Sequence, residues 1–384
     1  MAKTAKIVVE NQNPLAALQG FLQSLLEDTE ITAILVPRHL PGNNAVMPML
    51  VTDPQQLDRA GPLAPVFPVN AAKIVSKLTR TPPGQKMAVV LRPCEIRAFV
   101  ELTKLNQGSM EEVMIIGLDC LGAYETENYS QFVEANQGDG FEASLRFYQN
   151  FIEGRGAEGQ NFNVAKACQA CEHPSPDNAD ISIGLIGVDL QNGLPVMANT
   201  ARGEQYLDKL NLPQTEEPEE RKQALAELIK KRIEYRDRMF EETREATSSL
   251  EKLATYLSGC VNCYNCRVAC PVCYCRECVF LTDIFDHKPW QYLGWAEQKG
   301  ALKMPTDTLF YHVTRLTHMS LSCVGCGKCS SACPNHIPVM ELFRMVAADV
   351  QHAFDYEAGR SLSEPPPLSL FQEDEFTEIT ETLE

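Results

Sequence analysis

Residues 259–271 read Gly259-Cys260-Val261-Asn262-Cys263-Tyr264-Asn265-Cys266-Arg267-Val268-Ala269-Cys270-Pro271. The pattern returns as Cys323-Val324-Gly325-Cys326-Gly327-Lys328-Cys329-Ser330-Ser331-Ala332-Cys333-Pro334. In each copy three cysteines stand two residues apart, a fourth follows after three more, and a proline closes the run. Thiolates at that spacing wrap one face of an iron–sulfur cubane, from a tight loop that turns backbone N–H groups toward the sulfurs. Gly325 and Gly327 give the second loop the φ freedom such a turn needs. Zinc is the rival, because paired CxxC motifs also make Cys₄ sites. Zinc ribbons, however, use two CxxC pairs and not two four-cysteine runs that each end on Cys-Pro. The stretch therefore predicts two 4Fe–4S clusters.

Both runs match the spacing of bacterial two-cluster ferredoxins, in which the fourth cysteine of each run serves the other cluster. By that rule Cys260, Cys263, Cys266 and Cys333 hold one cluster, and Cys323, Cys326, Cys329 and Cys270 hold the second. Seven of the 15 cysteines remain. Cys94 and Cys120 each follow an apolar strand candidate, at the sheet end where α/β proteins bind ligands. Cys168-x2-Cys171 would complete a third set of four. Two buried structural cysteines plus an unrelated CxxC fit the residues as well. Cys273, Cys275 and Cys278 crowd behind the first motif; they are too few for a complete site and read either as free thiols or as part of a partner-assisted one.

Outward from the motifs, the chain divides into regions. Residues 1–205 read as an α/β domain. Its helices are expected at Leu15–Leu26, Val69–Leu78 and Glu95–Leu105, and its buried strands at Ile31–Val36, Met87–Leu91, Val113–Leu118 and Ile181–Val188. Residues 206–258 read as a helical spacer, since Leu225, Ile229, Ile233, Phe240, Leu250, Leu253 and Leu257 recur near helical spacing in a charged background. Residues 259–345 form the expected small bacterial-ferredoxin-like (α+β) two-cluster domain. Residues 346–384, with Glu364-Pro365-Pro366-Pro367 and an acidic end, read as a mobile tail.

Composition narrows the function. Lys+Arg total 34 against Asp+Glu 51, a net charge of −17, which repels nucleic acid. The longest apolar runs are too short to span a bilayer, and no secretory signal follows Met1. A cytoplasmic protein is expected, and there clustered thiols are metal ligands more often than disulfides.

Taken together, the segments resemble the β subunit of methanogen-type formate dehydrogenase, within the family of deazaflavin (coenzyme F420) hydrogenase/dehydrogenase β subunits. The resemblance rests on Leu91-Arg92-Pro93-Cys94-Glu95, Ile115-Ile116-Gly117-Leu118-Asp119-Cys120 and Cys168-x2-Cys171. It continues through Cys270-Pro271-Val272-Cys273-Tyr274-Cys275-Arg276-Glu277-Cys278 and His312-x2-Arg315-x2-His318. It implies a third cluster on Cys94, Cys120, Cys168 and Cys171, and FAD. It also implies electron transfer between a catalytic molybdenum or tungsten formate dehydrogenase subunit, or a hydrogenase subunit, and a heterodisulfide-reductase-type subunit or other acceptor. Asn70, Lys73 and Arg92 are candidate flavin contacts, although a core helix start and a solvated helix face explain them equally. Where the family carries Gly-Gly-x-x-Thr, this chain has Asn13-Pro14-Leu15-Ala16-Ala17, and Pro14 removes an N–H that a phosphate would need. His312 and His318 could hydrogen-bond a cluster sulfur. Two rival readings stand: a flavin-dependent oxidoreductase reducing a soluble deazaflavin, and a non-catalytic docking scaffold. No residue suggests a nucleophile or an acid–base pair.

Overall fold

Met87–Leu91 and Val113–Leu118 carry no polar side chain, so both faces of any strand they form must be covered. In the computed structural model, which describes residues 3–41, 45–82, 84–136, 138–154, 163–282, 288–299 and 307–369, they lie side by side within a seven-stranded sheet. The strands are β1 (Thr4–Ile7), β2 (Ala33–His39), β3 (Val46–Val51), β4 (Met87–Leu91), β5 (Val113–Leu118), β6 (Ile181–Ile183) and β7 (Leu194–Ala198), in the order β1-β7-β6-β5-β4-β2-β3. β2, β4, β5 and β6 run parallel, while β3 and the β7–β1 pair add antiparallel edges.

The helices of the α/β part are α1 (Pro14–Asp28), α2 (Ala72–Leu78), α3 (Pro93–Lys104), α4 (Thr126–Ala135), α5 (Gly140–Ile152), α6 (Lys166–Gln169) and α7 (Ala201–Lys209). α8 (Glu219–Ala246) and α9 (Leu250–Tyr256) follow. The cysteine-rich part holds α10 (Asn265–Ala269), α11 (Pro289–Lys299), α12 (Asp307–Met319), α13 (Lys328–Ser331) and α14 (Val339–Ala353). None of the described helices is long and apolar enough to cross a membrane.

Side chains alternate across the strands and separate two cores. Ile34, Val36, Ala88, Val90, Met114 and Ile116 face one core with α1, α4, α5 and α7. Ala33, Leu35, Met87, Val89, Val113 and Ile115 face the other. That second core takes in Ala72 and Val75 of α2, Phe99 of α3, Met319 of α12, Val324, and Leu342 and Phe343 of α14. The cysteine-rich segment thus covers one face of the sheet.

Several expectations need correction. Within 206–258, expected as a helical spacer, α8 buries one helical face that includes Arg221, Arg232, Met239 and Thr243, and its two arginines break the apolar pattern. The boundary expected at residue 345 falls inside α14. Beyond it Tyr356 and Ala358 are buried, and the Gly359 N–H donates to Glu101 Oε1 at 2.7 Å. Only residues 370–384 of the expected tail lie outside the described residues. Among the described residues of 259–345 there are helices and loops but no strand, where an α+β module was expected; a long stretch separates the two motifs here and carries α11 and α12. The strand expected over Ile181–Val188 ends at Ile183, because the N–H groups of Leu185 and Ile186 turn to Asp119 Oδ2.

Candidate metal centres

β4 and β5 are in register up to Leu91 and Gly117, so Cys94 and Cys120 emerge at the same end of the sheet. Cys94 sits in the first turn of α3. Glu95 Oε2 accepts from the Arg92 N–H at 2.9 Å, and Glu95 Oε1 from the Ala71 N–H at 2.7 Å. The Cys120 N–H donates to Pro174 O at 2.7 Å, which pins the segment bearing Cys168 and Cys171 against β5. Burial pushes the Cys94 thiol well above its ordinary range, and Cys326, Cys120 and Cys171 add to the push. Burial raises Cys168 to about 12, again with help from Cys120 and Cys171. The charges of Cys120 and Cys171 thus bear on both Cys94 and Cys168 in desolvated surroundings.

Burial raises Cys260, and Cys266, Cys263 and Cys333 raise it further. Burial also raises Cys329, with Cys270, Cys326 and Cys323 adding to it. The charge of Cys270 thus bears on a thiol of the second motif, and that of Cys333 on a thiol of the first. Gly325 (φ 68°) and Gly327 (φ 78°) are left-handed, as the loop reading requires. A Cβ on Gly327 would stand 2.4 Å from the Ala167 Cβ of α6, which shows how closely the second motif packs on the Cys168 loop. Cys326 of the second motif also helps to push the Cys94 thiol up.

Do these residues fit clusters? Cluster ligands must be thiolates, and a buried thiolate needs cations and N–H donors. The N–H groups of Asn262 and Ile337 donate to Cys260 Sγ and Cys333 Sγ, each at 3.4 Å. Backbone hydrogen bonds at Gly122, Ala123, Val272, Gly325 and Lys328 favour the thiolate of Cys120, Cys168, Cys270, Cys323 and Cys326. The donor set suits clusters. Burial raises Cys273 to about 11 beside Cys270, while Cys275 is exposed; no shared site emerges for Cys273, Cys275 and Cys278.

The flavin candidates are occupied otherwise. Lys73 Nζ donates to Val268 O at 3.1 Å and Cys270 O at 3.3 Å, tying α2 to the first motif. Arg92 Nη2 donates to Ala64 O at 2.8 Å and Val66 O at 2.7 Å, and the guanidinium lies 5.2 Å from the Phe67 ring centre. Asn70 Oδ1 accepts from the Ala72 N–H at 3.0 Å; its buried Nδ2 has no partner among the described residues. The cavity beside Arg92 and Cys120 is about 30 Å³, against roughly 300–1,000 Å³ for ligand sites. As arranged, these residues do not fit FAD.

Residues not singled out from the sequence complete the surroundings. Arg221 forms a buried ion pair with Asp119. Arg232 donates to Cys120 O at 3.2 Å and Cys171 O at 3.5 Å. Lys328 is buried with its ammonium on Phe67 O and 4.9 Å from that ring's centre. His312 Nε2 lies 3.4 Å from Cys260 Sγ, whereas His318 is exposed on the far side of α12.

Known proteins are similar to this chain. Residues 84–223 match the family described as the C-terminal part of the coenzyme F420 hydrogenase/dehydrogenase beta subunit. The chain is 28% identical over 376 residues to the F420-dependent formate dehydrogenase subunit beta of Methanocaldococcus jannaschii, covering 92% of this chain and 94% of that protein. It is 28% identical over 308 residues to the F420-dependent formate dehydrogenase 1 subunit beta of Methanococcus maripaludis, covering 74% and 75%. One protein of the F420-reducing nickel–iron hydrogenase complex from Methanosarcina barkeri aligns with a TM-score of 0.45 at 17% identity, covering 65% of this chain and 93% of that one.

Proposed function

The chain is a relative of the coenzyme F420 hydrogenase/dehydrogenase β subunits, and on that premise we propose that it relays single electrons as the iron–sulfur β subunit of a formate dehydrogenase or related redox complex. Three 4Fe–4S clusters, one on each set of four cysteines, would supply one-electron chemistry. The chain's own residues exclude water, orient the thiols through the strand ends and left-handed loops, and place N–H donors at the sulfurs. What supports the reading is the mutual influence of the buried thiols, Cys326 on Cys94, Cys270 on Cys329 and Cys333 on Cys260. The oxidation of formate itself is assigned to a molybdenum or tungsten subunit, with a heterodisulfide-reductase-type or other redox subunit as the second partner. Anaerobic iron and sulfide analysis should return about twelve of each per chain. About eight would remove the cluster on Cys94, Cys120, Cys168 and Cys171.

The names of the two relatives favour a second reading, in which the protein reduces a deazaflavin. Hydride chemistry of that kind needs a two-electron cofactor such as a flavin, and neither Pro14 nor the Arg92 surroundings provide for one. The isolated protein, assayed with a reduced one-electron donor and the deazaflavin, is expected to show no steady turnover. Turnover together with FAD in the heat-released supernatant would establish the second reading instead.

A further inference from the structure

This inference rests on the cluster reading above and concerns α12, which belongs to the stretch between the two motifs and packs on the first. Arg315 Nη1 donates to Cys266 Sγ at 3.0 Å, and Nη2 donates to Cys266 O at 3.2 Å. The Tyr311 hydroxyl lies 3.4 Å from the same sulfur, and His312 Nε2 lies 3.4 Å from Cys260 Sγ. Tyr311, His312 and Arg315 are all buried. The Arg315 guanidinium is held 4.7 Å from the Phe343 ring centre and 5.5 Å from that of Tyr311. Among the described residues no carboxylate pairs with it, and its Nε has no partner. A fixed, uncompensated cation therefore touches one sulfur of the 260/263/266/333 set.

The other two sets also have cations nearby, but these are differently engaged. Lys328 is bound to Phe67 O, Arg92 to the carbonyls of Ala64 and Val66, and Arg232 to those of Cys120 and Cys171. Among the described residues no side-chain nitrogen donates to a sulfur of those sets. Reducing a 4Fe–4S cluster adds one electron and one negative charge, with no proton moved and no bond made or broken. Hydrogen bonds to the sulfurs, solvent exposure and a neighbouring positive charge all favour the reduced form. The first-motif set has all three, since Cys263 is exposed.

We propose that Tyr311 and Arg315 of α12 make the cluster on Cys260, Cys263, Cys266 and Cys333 the most easily reduced of the three, so that electrons collect at the exposed end of the relay. The test is an anaerobic redox titration of the full chain with dithionite as the one-electron reductant, followed by electron paramagnetic resonance. In the unaltered chain one signal should appear first. Arg315→Gln, which removes the charge, should move that signal to more negative potential. Tyr311→Phe should move it less. The signal of the Cys94, Cys120, Cys168 and Cys171 set should stay in place, and that of the 270/323/326/329 set, whose Cys329 packs near Cys266 and Tyr311, should move less than the first, with iron still at about twelve per chain. The proposal is overturned if the first signal to appear is one that neither substitution moves. It is also overturned if both variants keep their iron with unchanged midpoints, or if both lose about four irons, which would make these residues supports of the fold only. Iron analysis of the unaltered chain separates this from failure of the cluster reading, because an empty first motif would be evident before any variant was made.

Discussion

His39 shows how a single buried group can set the acid tolerance of the α/β part. Its ring lies 4.3 Å from that of Phe141, against Gly61 and Gly140, and its Nε2 is buried without a partner among the described residues. Burial lowers its pKa from 6.5 to about 4, with the Asp139 charge opposing only in part. Between those values the unfolded chain takes up a proton that the folded chain refuses. The contribution of this group is therefore intact above pH 6.5, is lost as the pH drops toward 4, and is constant below that. At roughly 1.4 kcal/mol per pH unit the whole effect is about 3 kcal/mol. His39→Leu should accordingly flatten the decline of Tm between pH 6.5 and pH 4, read by thermal melts across that range. An unchanged slope would place the acid sensitivity elsewhere.

Among the elements, the short segment from α10 to Pro271 decides the wiring. Cys266 accepts from Arg315, while Cys270, four residues on, bears electrostatically on Cys329 of the second motif. Cys270→Ala is therefore expected to damage the cluster of the second motif and spare that of the first. Spectroscopy of the purified variant, with iron falling by about four per chain, would show which signal is lost. The exchange of the fourth cysteine is the expectation that the spacing carries. Legible in the sequence were β4 and β5, whose runs are apolar throughout, and the apolar first half of β2. The role of α8 was hidden: its inward face is built from Arg221 and Arg232, and a search for apolar periodicity passes over buried arginines. β3 was hidden too, since Pro48 sits in the strand facing Pro37 of β2 and argues against a central strand. Of the two histidines flanking the second motif, only position on the helix separates buried His312 from exposed His318, and that phase cannot be read without knowing which face α12 turns inward.

At the scale of the whole molecule, the α/β part and the cysteine-rich part share a core. Phe99 and Leu102 of α3, Leu257, Val272, Leu342 and Phe343 belong to one buried cluster. Cysteine motifs look like a self-contained module, so the sequence suggests a boundary near residue 258. Nothing in composition reveals that the sheet leaves one face for that module to cover. A fragment ending at residue 258 would expose that apolar face to water. It should aggregate or remain unfolded when expressed alone, as judged by size exclusion and circular dichroism. A soluble, cooperatively melting fragment would mean that the two parts are independent.

The graded exposure of the sulfurs has a consequence for life in air. Cys263 is exposed, whereas Cys94, Cys120, Cys168 and Cys171 lie deeper and no sulfur among them is exposed. Oxygen or peroxide diffusing in from solvent meets the first-motif set before it meets any other. Damage should therefore proceed from the rim inward, with the outer centre lost first and acting as a sacrificial edge. A briefly aerated preparation would keep its innermost spectroscopic signal while already having lost that of the first-motif set. Such a protein would still look iron-loaded, yet it would be disconnected.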